Sequence, residues 1–100
     1  MIKDQKILDV LLNVSNAFPE EKYKISNNWD ADLEAIGICN SKSEQILIYI
    51  STYKMTDENY YFECEMPSNQ EPYYLVTSKG HVQGIKNLLS IIEKHIINVN

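Results

Sequence analysis

The chain has 100 residues, with nine lysines, no arginine and fourteen carboxylates for a net charge of −5. That length fits one domain, taken as residues 1–100, with a modest core. The charge argues against nucleic acid as a direct partner, because phosphate contacts need Lys and Arg to displace counterions. An acidic chain attracts basic proteins instead.

In chain order, residues 3–18 have helical periodicity. Ile7, Leu11, Val14 and Phe18 form an apolar stripe that Leu8 and Leu12 widen, and Pro19 ends it. The apolar run is short and broken by Asp9 and Asn13, so neither a signal peptide nor a membrane anchor is expected. Residues 20–32 are polar and hold the single tryptophan, Trp29, expected in the core or as an interface anchor.

Four strands are expected next, at about 33–39, 45–53, 59–66 and 73–78, from their β-branched and aromatic content. Ile36 and Ile38 share a face in the first, and Ile46, Ile48 and Ile50 share one in the second. Their links, Asn40-Ser41-Lys42-Ser43, Met55-Thr56-Asp57-Glu58 and Pro67–Glu71, are short and polar, which implies an antiparallel meander. A second helix is expected from about 80 to 97, capped by Ser78, with Val82, Ile85, Leu89, Ile92 and Ile96 as its stripe.

The expected fold is therefore α+β: a two-layer sandwich with a four-stranded antiparallel meander and both terminal helices packed on one face. The other sheet face, with Leu47, Tyr49, Tyr53, Tyr61, Glu63, Glu65, Tyr74 and Val76, is expected to stay open.

No pattern for catalysis stands out. Glu63 and Glu65 lie about 7 Å apart along a strand, a spacing that paired glycosidase carboxylates use, but nothing separates their acidities as acid/base work needs. Asp30, Asp32 and Glu34 alternate like the start of a calcium loop, yet Ala35 and Ser41 stand where it needs Gly and Glu, so no metal site is expected. His81 and His95 are placed at opposite ends of the last helix. Cys39 and Cys64 are expected as reduced thiols of a cytoplasmic protein. No cofactor is expected.

The seven tyrosines carry the functional reading. Tyrosine offers broad contact area with a polar tip, and neighbouring carboxylates pair with basic groups. The candidate partner-binding residues are Tyr49, Tyr53, Tyr61, Glu63 and Glu65 on the open face, with Asp57 and Glu58 at a hairpin tip. Cover by residues 20–32, or by a twin subunit in a homodimer, is the competing account of that face.

The chain resembles the immunity proteins of bacterial toxin–immunity pairs, as in contact-dependent growth inhibition. The resemblance rests on the small acidic chain, the Trp29 segment leading into Ile36-Gly37-Ile38, the strands Leu47-Ile48-Tyr49-Ile50-Ser51 and Tyr60-Tyr61-Phe62-Glu63, and the closing helix Ile85 to Ile97. It implies a non-enzymatic cytoplasmic protein that binds and neutralises one cognate toxin domain, commonly a basic nuclease. The alternative is a small acidic secretion-type chaperone acting as a dimer.

Overall fold

Strand alternation and two amphipathic helices leave one economical arrangement, helices on the apolar side of a sheet. The computed structural model, which describes residues 2–99, has that arrangement. Helix α1 (Gln5–Ala17) and a short 3-10 turn (Glu20–Lys22) precede strands β1 (Tyr23–Ser26), β2 (Ala35–Asn40), β3 (Ser43–Ser51), β4 (Asn59–Pro67) and β5 (Tyr74–Gln83). Helix α2 (Ile85–Ile92) then runs into a π turn (Glu93–Ile97). The strands form one antiparallel sheet in sequence order.

The sheet has five strands, not four. Tyr23–Ser26, within the polar stretch, pairs with β2 through Ile25↔Ile38 and Ser26↔Gly37. A four-residue edge strand with one strongly apolar residue carries too little periodicity to be seen locally.

Both helices and the sheet share one core. Ile7, Val10 and Val14 from α1 meet Ile36, Ile38, Ile48, Ile50, Phe62 and Cys64 from the strands and Leu88, Ile92 and Ile96 from the last helical segment. Eight of these side chains are Ile or Leu below 2% exposure, each worth about 1.5–3 kcal/mol of burial. The α1 stripe is narrower than expected, and Leu12 is 59% exposed. At 3.6 residues per turn, Leu8 and Leu12 point about 120–160° away from the centre of the Ile7/Val10/Val14 stripe.

The last helix starts later than expected. Ser78 does not cap it but lies inside β5, opposite Cys64, and His81 is also a strand residue, opposite Tyr61. Pairing with β4 along its whole length holds residues 79–83 extended, overriding their weak helical pattern. Gly84, at φ 88°, makes the corner into α2. The π turn is tied down by polar contacts. Asn40 Nδ2 donates to the Ile96 carbonyl at 2.8 Å. His95 Nε2 lies 3.0 Å from both the Leu47 and Glu65 carbonyls, so this nitrogen carries the proton. Among the described residues, no helix is long and apolar enough to cross a membrane.

Candidate functional site

The sheet face away from the helices carries a different chemistry. Register places Tyr49 opposite Glu63 and Gly37, Tyr61 opposite His81, and Leu47 opposite Glu65. The aromatic groups form a diagonal row across the sheet. Trp29 and Tyr49 ring centroids are 5.2 Å apart, Tyr49 and Tyr61 6.4 Å, and Tyr61 and His81 5.3 Å. Such tilted and edge-on pairs are favourable contacts for these rings.

The face is only partly open. The β1–β2 connection folds back so that the Trp29 ring lies over Gly37, where an added Cβ would come within 2.4 Å of it. Only glycine leaves room for the indole to reach the sheet, the usual reason for glycine inside a strand. Lys3, 9% exposed, pins this connection: its ammonium donates to the Trp29 carbonyl at 2.6 Å and the Asp32 carbonyl at 2.5 Å. Trp29 is thus half-buried on the candidate face rather than in the main core. Leu47, expected to be open, is buried, and it borders a depression shared with Asn28, Pro72, Tyr73 and Tyr74.

On the far side, Tyr73 has φ 69°, an unusual backbone for a bulky residue. Two backbone bonds hold it, Tyr73 N to Gln70 O at 2.6 Å and Ser68 N to Tyr73 O at 3.1 Å. The next residue, Tyr74, forms a rim.

Between these walls runs a groove of about 410 Å³, lined by Trp29, Asp32, Tyr49, Tyr61, Glu63, Glu65 and Tyr74. Tyr61 Oη donates to Glu63 Oε2 at 2.5 Å. That bond, partial desolvation and the nearby negative charge raise the Tyr61 hydroxyl above its ordinary 10.0. Burial first, and the Glu63 charge second, raise the Glu65 carboxyl, while His95 opposes them. Lys79 stands opposite Glu63 across the β4–β5 ladder, yet the two form no ion pair. The one ion pair among the described residues joins Lys24 to Glu44.

Four of the seven candidate residues, Tyr49, Tyr61, Glu63 and Glu65, line this groove together. The other three do not. β3 ends at Ser51, so Tyr53 lies in the turn beyond it, 58% exposed with Lys54 Nζ 5.4 Å from its ring centre. Asp57 sits in the same connection at φ 48°. Glu58 has a structural role at the start of α2. Its carbonyl accepts from Gly84 N at 2.7 Å and its carboxylate from Ile85 N at 3.4 Å, a suitable place for a negative charge.

Asp32 and Gly37 are not among the candidate partner-binding residues; Trp29, expected in the core or as an interface anchor, lies on this face. Gly37, lodged between isoleucines in a strand, was the local signal that another group approaches there. Nothing local showed which group.

Neither cysteine is poised as a nucleophile: burial pushes Cys64 up to about 11 and raises Cys39 as well. Asp32 Oδ1 accepts from Glu34 N at 2.9 Å, so this part of the calcium-like run is a turn. Comparison with family models, curated proteins and solved structures returned no match.

Proposed function

We propose that this domain is an immunity-type inhibitor: a cytoplasmic, non-enzymatic protein that binds and neutralises a cognate basic toxin domain, a nuclease in the first instance. The observation that carries this reading is the groove, where aromatic rings flank carboxylates that form no ion pair with a described residue. An acidic surface of this kind suits the substrate cleft of a nuclease, which is built to hold phosphate charge, and speeds encounter. The groove supplies the centre of the interface. A standard interface needs about 800 Å² per partner, so the turns bearing Tyr53 and Tyr73 contribute to the rim.

The test is alanine substitution at Tyr61, Glu63 and Glu65, with affinity measured against the toxin domain encoded by the neighbouring gene. We expect weakening of about tenfold or more at Tyr61, and a shallower salt dependence for the two glutamates. Unchanged affinity and salt dependence in all three variants would remove this face from the interface.

A second reading, the dimeric secretion-type chaperone, is favoured by one observation. β5 is a ten-residue edge strand that exposes Tyr74, Leu75 and Val76, a surface suited to pairing with another chain. Sedimentation separates the two: an obligate dimer supports the chaperone, a monomer the inhibitor.

A further inference from the structure

We propose that the groove between Trp29 and Tyr74 receives one arginine side chain from a different protein, its guanidinium lying on the aromatic rings and donating to Glu63 and Glu65. This deepens the binding-face reading and rests on it.

The argument for a cation comes from what lines the groove. Trp29, Tyr49, Tyr61 and Tyr74 line the groove with aromatic rings, whose faces attract positive charge through their quadrupoles. Glu63 and Glu65 supply oxygens. Tyr61 occupies one Glu63 oxygen, which fixes that carboxylate in place and leaves its other oxygen free of side-chain partners. No side-chain donor reaches Glu65, and its raised affinity for a proton reflects partial burial beside a like charge. A bound cation relieves both conditions.

The argument for a guanidinium comes from geometry. The Trp29 and Tyr49 planes are inclined at 49° and the Tyr49 and Tyr61 planes at 70°, along an open trough. A round quaternary ammonium is best held by a closed box of rings. A flat guanidinium can lie on one ring face while its edge meets carboxylates, and its planar fork of donors serves two oxygens at once.

The argument for a different protein comes from composition. This chain has no arginine, so a second copy of it cannot fill the groove in this way.

Trp29 is the only tryptophan, so its fluorescence reports on the groove without labelling. The probes are acetylated, amidated tripeptides with a central arginine, citrulline or lysine between glycines, titrated into the full chain. Citrulline keeps the shape of arginine and removes the charge. We expect a saturable Trp29 response to the arginine peptide, with the citrulline peptide about tenfold weaker or worse. The double variant Glu63→Gln/Glu65→Gln is isosteric and lies away from the main core. It should melt near the parent temperature and weaken the arginine response by a similar factor.

Equal responses to arginine and citrulline, or an arginine response untouched in the double variant, would overturn the proposal. A lysine response equal to that of arginine would overturn the guanidinium assignment. The two readings fail separately. If the arginine peptide leaves Trp29 silent while Tyr61→Ala still weakens toxin binding, the arginine site falls and the binding face stands. If the peptide binds as expected while toxin affinity ignores every groove substitution, the toxin interface falls and the arginine site stands.

Discussion

The two faces of one sheet follow opposite rules. Ile48 and Ile50 point one way, into aliphatic side chains from both helices, and are fully buried. Leu47 and Tyr49 point the other way, toward rings, carboxylates and two folded-back loops. The first face is sealed by shape and burial. The second is assembled from separate contacts that each hold one piece: Lys3 for the β1–β2 loop, Gly37 for the indole, Tyr61 for the Glu63 carboxylate. Stability should therefore reside mostly in the first face, and the capacity to bind in the second.

The largest expected contrast comes from truncating each face in turn. Ile48→Ala should cost about 3–4 kcal/mol in urea unfolding, because it removes a fully buried side chain and leaves a cavity. Glu63→Gln on the groove face should stay within about 0.5 kcal/mol of the parent. Comparable losses from both would abolish the division of labour.

Next is Lys3→Met. It should cost about 1–3 kcal/mol, since the two carbonyls that the ammonium satisfies lose their donor. Amide exchange should accelerate in residues 27–34 while β2–β4 stay protected. Uniform acceleration would mean that Lys3 supports the whole fold rather than this loop.

A smaller effect, about 1–2 kcal/mol, is expected for Gly37→Ala, because the new methyl collides with the Trp29 ring. The indole should swing toward water and its emission shift to the red. An unshifted spectrum would show that the ring does not rest on the sheet.

The smallest effect concerns pH. The Glu65 carboxyl is raised above its ordinary 4.5, so the folded state holds this proton more tightly than the unfolded chain does. Its favourable contribution is full below pH 4.5 and is lost as pH rises through the folded value. Glu65→Gln should flatten that part of the stability profile and slightly stabilise the protein at neutral pH. An unchanged profile would place the carboxylate in full contact with water.

Particular residues show how far local pattern reached. Ile36, Ile38, Ile48 and Ile50 declare a strand face by alternation alone, and Ile7 and Val14 declare a helix by spacing. Tyr61, Glu63 and Glu65 share a face for the same reason. β1 stayed hidden because its pairing partner, β2, makes it a strand. Residues 80–83 fall within the expected helix, but β4, not their own composition, keeps them extended. Strand parity and nearness to a hairpin tip point to Tyr53 and Glu58, but the turn between β3 and β4 gives them other surroundings.

The sequence by itself determined the α+β class, the single-core layout and the aromatic, acidic character of one sheet face, because those follow from residue type at periods of 2 and 3.6. Only the tertiary structure decided that this face is a walled groove, since its walls come from contacts between positions far apart in the chain: Lys3 with Trp29 and Asp32, and Trp29 with Gly37 and Tyr49. Periodicity constrains which way a side chain points. It says nothing about which distant loop will fold over it.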